Sequence, residues 1–400
     1  DPGLEGVSAV LFDEFHERSL DADLGLALAR ESQTLLRDDL RIVVMSATLD
    51  ITGVSRLLAD AEGAAAPVIE TEGRAFPVET RYLGRDPAVR IEDAVARACL
   101  TALAEETGSI LVFLPGQGEI RRTAQRLAER LRDPAVEIAP LYGAMDKAAQ
   151  DRAIEPAAPG RRKIVLATSV AETSLTIEGV RVVIDSGLSR MPRFDPAGGL
   201  TRLATVRVSR SSAEQRRGRA GRVEPGVCYR LWDPEQTRGL VPHQRPEMLE
   251  TDLTGLALDL ARWGAKSAEG LALLDPPPAG AFAEARKVLA RLGALDGEGA
   301  LTGHGRRLAR IPLSPRLAHM VAAASDAGDA RLGARIAAVL SEPGLGGNEI
   351  DLAERLKGLA RDRSARGKDA GILIDRWARA AGGGTGGAVD PGRLLAEAFP

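Results

Sequence analysis

The sequence predicts an α/β protein, with parallel-sheet domains in tandem through the first two thirds and helices thereafter. Three observations carry this. Six short runs rich in aliphatic and β-branched residues (Ala9 to Asp13, Ile42 to Ser46, Ile110 to Leu114, Lys163 to Ala167, Val180 to Asp185 and Val227 to Leu231) alternate with helical patterns, the signature of a parallel sheet covered by helices. Between the third and fourth runs, Ile120, Ala124, Leu127 and Leu131 recur at helical spacing within a charged stretch, which makes a βαβ unit. After about residue 237 the strand signal fades, and Leu253, Leu256, Leu260 and Trp263 follow a helical period that stops at Gly264.

The segments between these runs set the domain organisation. Glu72 to Arg81, with Gly73 and Pro77, reads as a linker, so residues 1–72 and 73–237 form two α/β units. Pro276-Pro277-Pro278-Ala279-Gly280 is a loop. Ala285, Val288, Leu289 and Leu292 make a helix closed by Gly293, and Ala294 to Thr302 reads as a hairpin turning at Gly297 and Gly299. Two helices and a hairpin predict a winged helix over 238–302. Residues 303–400 are alanine- and leucine-rich helix. The run Gly382 to Gly387 formally contains G-x-G-x-x-G, but it follows the helical pattern around Trp377 with no strand before it, so it is a flexible loop.

Composition bounds the function. A chain of 400 residues, 44% hydrophobic and 27% charged, has the apolar fraction to bury a core, and its length implies several domains. Its longest uncharged run, Thr107 to Gly118, has 12 residues, short of the roughly 18 needed to span a bilayer. No basic segment followed by an apolar stretch marks a secretory signal. Cys99 and Cys228 are too far apart to form a metal site and read as small buried hydrophobes, which fits a cytoplasmic protein. His16, His243, His304 and His319 are too scattered for zinc. A net charge of −3 excludes a chain that is basic all over, although an RNA groove can be locally basic on an acidic protein.

Four segments carry chemistry. Asp13-Glu14-Phe15-His16 puts two carboxylates at the C-terminal end of a buried hydrophobic strand, where open α/β sheets bind ligands. There an aspartate can hold Mg²⁺ through its water shell, and the next carboxylate can deprotonate an attacking water; an acidic pair ending a strand is also often a solvated loop edge. Ser46-Ala47-Thr48 closes the next strand with two hydroxyls, by default a helix cap. The segment Ala167 to Ile177 runs from a strand end into hydroxyl-rich sequence, suited to a nucleic-acid backbone or to a capped helix start. Gln215-Arg216-Arg217-Gly218-Arg219-Ala220-Gly221-Arg222 is the strongest motif. Its glycines permit close approach to a ligand, and its guanidinium forks suit a γ-phosphate in transit; a solvated basic loop is the alternative.

In order and spacing these segments resemble the DEAH-box helicases of helicase superfamily two. Motif II is Asp13 to His16, motif III Ser46 to Thr48, motif IV Leu111 to Gly116, motif V Ala167 to Ile177 and motif VI Gln215 to Arg222. The extended run Asp13-Glu14-Phe15-His16-Glu17-Arg18-Ser19-Leu20 looks like the bacterial HrpB branch in particular. The resemblance implies two RecA-like domains, the first one partial, followed by a winged-helix domain and a helical, ratchet-like domain. It implies ATP and Mg²⁺ as cofactors and single-stranded or structured RNA as partner. Asp13 is then implied in metal coordination, Glu14 in activating water, and His16, Ser46 and Thr48 in coupling hydrolysis to domain movement. Gln215 is implied near the attacking water, with Arg219 and Arg222 as arginine fingers. Thr176 and Glu178 match positions near the nucleotide, while Thr168, Ser169 and Thr173 match positions facing the RNA backbone. Leu188 to Val208 matches the hairpin that helps to separate strands. Ser169 stands where asparagine is common and Ile154 where an aromatic often stacks on adenine, which puts base stacking in doubt.

The phosphate-binding loop G-x-x-x-x-G-K-[ST] does not occur, since the only Gly-Lys pair is Gly367-Lys368, followed by Asp369. The sequence is accordingly expected to be a fragment whose first RecA-like domain lacks its N-terminal half, and the chain alone is expected to be inactive. Two rivals remain: a non-catalytic nucleic-acid-binding or protein-docking module of the same fold, and a DNA helicase or translocase.

Overall fold

In the computed structural model, residues 2–399 are described apart from 48–50, 61, 72, 74–75, 144, 146, 173–176, 196–198, 343, 385 and 387–388. The chain opens with strand β1 (Ala9–Phe12), helix α1 (Leu20–Leu35), β2 (Arg41–Val44) and α2 (Ile51–Leu57). The strands β1 and β2 pair in parallel, Ala9 opposite Arg41 through Phe12 opposite Val44. One face of the pair packs Phe12, Ile42 and Val44 against Phe15 and Leu26. The other face is uncovered, with Leu11 59% and Val43 43% exposed. The motif II strand, expected to be buried, is therefore half exposed, because the described sheet here has two strands and helices on one side only.

The next unit is a six-stranded sheet. Its strands are β3 (Val78–Tyr82), β4 (Ser109–Phe113), β5 (Val136–Leu141), β6 (Arg162–Ala167), β7 (Val180–Asp185) and β10 (Gly226–Arg230), in the order β3-β10-β7-β4-β6-β5, all parallel. Every residue of β4 is buried, as expected of a central strand covered on both faces. Helices α3 (Ile91–Glu105) and α4 (Gln117–Arg130) join one apolar cluster, with Ile120 and Leu127 facing the sheet as their spacing predicts. Helix α5 (Lys147–Ile154) contributes to the cluster on the opposite face. The expected linker, Glu72 to Arg81, runs instead into the edge strand β3. Its alternation was masked by Pro77 and charged Glu79 and Arg81, both acceptable at an edge that pairs on one side only.

Between β7 and β10 lie the antiparallel hairpin β8 (Leu188–Asp195) and β9 (Leu200–Arg207), then helix α6 (Arg210–Gly218). After a short helix α7 (Pro234–Arg238) the chain becomes helical. Helices α8 (Thr254–Trp263) and α9 (Ala279–Arg291) end at Gly264 and near Gly293, which have φ of 98° and 68° and supply the left-handed turn that stops each helix. A bridge from Leu295 to Leu301 forms the short hairpin expected there. Six further helices, α10 (Gly303–Leu308), α11 (Pro315–Asp326), α12 (Ala330–Ser341), α13 (Leu352–Arg361), α14 (Ala365–Ala380) and α15 (Pro391–Ala398), share one apolar cluster with α8 and α9. Leu24 of α1 also belongs to it, so the helical region is packed onto the first unit. No helix among the described residues is long and apolar enough to cross a membrane.

Candidate active site

The acidic tip follows directly from the end of β1. Glu14 takes the left-handed conformation (φ 49°, ψ 34°) and starts a single 3₁₀ turn, Phe15–Glu17. Its N–H donates to Asp13 Oδ1 at 2.8 Å. Phe15 is buried and its N–H donates to the Met45 carbonyl at 3.1 Å, which ties the tip to the end of β2, where Ser46 is exposed. His16 Nδ1 lies 3.5 Å from Glu14 Oε2 and 3.4 Å from the Ala47 N–H. His16 Nε2 lies 2.7 Å from Gln215 Nε2, 199 positions further along the chain. The Ala47 N–H points at Nδ1, so the ring's lone pair lies there and the Nε2 proton faces the Gln215 side-chain amide, whose oxygen accepts it when turned inward.

Opposite the tip stands α6. Ser209 caps it, accepting from the Ser212 N–H at 3.1 Å. Ser212, Arg216 and Arg219 recur at i, i+4 and i+7, so they share one face, and all three are buried. Arg216 donates to Glu172 Oε1 at 2.5 Å, to Asp185 Oδ1 at 2.8 Å and to the Leu188 carbonyl at 3.1 Å, with its guanidinium 4.9 Å from the centre of the Phe113 ring. Burial by itself would lower its pKa, but Asp185 and Glu172 outweigh that and hold it above the ordinary arginine value. Ser212 Oγ donates to the second oxygen of Glu172 at 2.8 Å.

Arg219 Nε donates to the Glu172 carbonyl at 2.7 Å, and Nη2 donates to the same oxygen. Burial lowers the Arg219 pKa to about 10, helped by the charge of Arg222 and opposed by Glu14 and Glu172. Glu14 and Arg219 thus feel each other's charge, and the acidic tip and the arginine helix face each other on either side of the His16–Gln215 contact. Arg222 is exposed, just past the 3₁₀ turn that extends α6.

Gly221 does not offer a ligand the close approach expected of it. A Cβ on Gly221 would lie 2.5 Å from the Phe76 carbonyl oxygen, so its close approach is to the chain entering β3, while Gly218 faces open space.

The structure brings Asp13, Glu14, His16 and Gln215 together with Arg219, and leaves others apart. Thr168 begins a short 3₁₀ turn after β6, its N–H donating to the Leu141 carbonyl at 3.3 Å, and Ser169 is exposed beside it. Glu178 is exposed and makes no hydrogen bond or ion pair among the described residues. Thr48, Thr173 and Thr176 lie outside the described residues. Ile154, the last residue of α5, packs against the apolar cluster on that face of the sheet. Asp13 and Glu14 offer hard oxygen donors of the kind Mg²⁺ accepts while keeping most of its waters, so the donor set fits that ion. Sequence reasoning missed Glu172, Asp185 and Arg216. The i+4 step from Ser212 to Arg216, and Asp185 closing an apolar strand as Asp13 does, were the available signals.

Residues 93–224 match the helicase conserved C-terminal domain family. The chain is 48% identical over 348 residues to Escherichia coli ATP-dependent RNA helicase HrpB, covering 87% of this chain and 42% of that protein. It is 37% identical over 351 residues to the Schizosaccharomyces pombe pre-mRNA-splicing factor ATP-dependent RNA helicase prp22, covering 86% of this chain and 30% of the relative. The crystal structure of the Escherichia coli DEAH/RHA helicase HrpB superposes with a TM-score of 0.87 at 45% identity, over 100% of this chain and 49% of that one. The chain belongs to the DEAH-box RNA helicase family, and its six-stranded sheet is a RecA-like domain. It spans less than half the length of these relatives.

Proposed function

We propose that this chain carries the water-activating carboxylates and the arginine wall of an ATP-hydrolysis site that drives movement along RNA. In this reading Asp13 and Glu14 hold Mg²⁺, which neutralises phosphate charge when bound. Glu14 takes the proton of the attacking water, which Gln215 orients. Arg219 and Arg222 stabilise the charge on the transferred phosphoryl group. His16, Ser46 and Thr48 pass the state of the nucleotide between the two walls, and Thr176 and Glu178 lie near the nucleotide. Thr168, Ser169 and Thr173 face the RNA backbone, and the β8–β9 hairpin meets the strand junction. The protein acts in the cytoplasm.

The observation that carries this reading is the 2.7 Å contact of His16 with Gln215, which joins the two motifs with Glu14 and Arg219 at their ends. A binding module has no use for that combination. Because no phosphate-binding loop occurs in these 400 residues, we propose that hydrolysis needs one from a longer polypeptide; the uncovered apolar face at Leu11 and Val43 supports a further part of the domain packing there. The test compares ATP hydrolysis by the isolated chain and by the full-length protein, with RNA or DNA added. The isolated chain should bind ATP poorly and turn nothing over. The full-length protein should hydrolyse ATP, faster with RNA than with DNA, and Glu14→Gln should keep ATP binding and lose turnover. Near-normal turnover in Glu14→Gln refutes its role, and stimulation by DNA alone refutes the RNA assignment.

A further inference from the structure

We propose that Arg18 is a positioning residue for Glu14, and that Asp275, from the helical region, completes the clamp that holds it. The inference rests on the reading of Glu14 given above. Among the described residues three non-glycine positions have positive φ, and two of them, Glu14 and Arg18 (φ 52°, ψ 43°), flank the single turn Phe15–Glu17. Residues with a Cβ stay in this conformation only where their surroundings hold them.

The Glu14 end is held by Phe15, buried in its cluster and bonded to Met45. The Arg18 end is held by Asp23 nearby and by two segments more than two hundred positions away. Arg18 Nε donates to Asp23 Oδ1 at 3.0 Å, and Nη2 donates to Asp23 Oδ2 at 3.1 Å and to Asp275 Oδ2 at 2.7 Å. The Arg18 carbonyl accepts the Glu247 N–H at 3.1 Å, and Glu247 Oε2 accepts the Leu20 N–H at 2.9 Å. Leu274, next to Asp275, packs on the cluster that contains Phe15.

Asp23 is almost wholly buried, and burial pushes its carboxyl up while Arg18 opposes the shift, so Arg18 is the cation paired with this buried carboxylate. A planar guanidinium can bridge two carboxylates from separate segments, whereas an ammonium is a single point charge. The turn from Glu14 to Arg18 spans only five residues. If Arg18 leaves its left-handed conformation, the turn rotates and carries the Glu14 carboxylate away from the water it must reach. The helical region thereby sets the aim of a carboxylate in a different part of the chain.

The experiment measures RNA-stimulated ATP hydrolysis by the full-length protein and its variants, with KM for ATP and melting temperature recorded for each. Arg18→Ala should lower kcat roughly 10- to 100-fold with KM for ATP unchanged, the scale expected when a reacting group is misplaced by about 1 Å. Asp275→Ala, at a partly exposed site that tolerates truncation, should lower kcat in the same direction. Arg18→Lys should not rescue, and the double variant should be no worse than Arg18→Ala. Glu31→Ala removes a different link between the same regions, the hydrogen bond from Trp263, and should leave kcat normal. Wild-type kcat in Arg18→Ala and Asp275→Ala overturns the clamp, and so does an equal loss in Glu31→Ala, which would mean general docking. An inactive wild-type protein, or normal turnover in Glu14→Gln, overturns the reading of Glu14 and the clamp with it. An active wild type and a dead Glu14→Gln, beside unaffected clamp variants, overturn the clamp alone.

Discussion

Arg216 holds the arginine helix in place, although Gln215, Arg219 and Arg222 are the residues whose spacing draws attention. Its guanidinium is fully buried between Glu172, from the segment after β6, and Asp185, at the end of β7. Two carboxylates out of water need their cation, and removing one partner of a buried pair costs about 3–5 kcal/mol because the charge left behind has nothing to replace it. Arg216→Ala is therefore expected to destabilise the chain by that amount, read as a lower urea midpoint at an unchanged slope. Arg222 is exposed and stands past the helix end, so Arg222→Ala should leave the urea midpoint alone. In the full-length protein it should lower kcat by about 10³, the scale of an arginine finger. Near-normal kcat would remove it from the proposed site.

At the scale of elements, motif VI seats an edge strand besides forming one wall of the proposed nucleotide site. The Phe76 N–H donates to the Gly221 carbonyl at 2.8 Å and the Gly226 N–H to the Pro77 carbonyl at 3.0 Å, so the turn after α6 is stitched to the entry of β3. A Cβ on Gly226 would lie 2.3 Å from the Ala220 carbonyl oxygen and 2.7 Å from that of Arg181. Both neighbours are backbone and cannot step aside. Gly226→Ala should cost about 1–3 kcal/mol, the usual penalty of overpacking, and lower the melting temperature, whereas Gly218→Ala, facing open space, should be neutral or slightly stabilising. Equal effects of the two substitutions would contradict this account of β3.

At the scale of the whole molecule, the two cysteines report on the two faces of the six-stranded sheet. Cys99 packs in the cluster with α3 and α4, and Cys228 in the cluster with α5. Burial pushes both thiols up, that of Cys228 to about 12, and neither is paired. Both should resist a thiol reagent at pH 8 in the native chain and react at once in denaturant. A fast-reacting thiol in the native chain would mean that one face of the sheet opens.

The periodicity of apolar residues determined the six strands read first and the crossover helix after β4, because each of those segments carries at least one apolar face to bury whichever partner covers it. Glycine determined where α8 and α9 stop, since a left-handed residue ends a helix locally. The sequence by itself also marked the candidate segments: those beginning at Asp13, Ser46 and Ala167 by their place at the ends of strands that local pattern defines, and Gln215 to Arg222 by its density of arginine and glycine. What it could not determine was pairing. The edge strand β3 was hidden by its charges, and β5 by a short and only partly apolar pattern. The contacts of Arg216 with Glu172 and Asp185, of His16 with Gln215, and of Arg18 with Asp275 join positions tens to hundreds of residues apart. Only the tertiary structure decided these, because a hydrogen bond between distant residues is set by how sheets and helices pack and leaves no period in the chain.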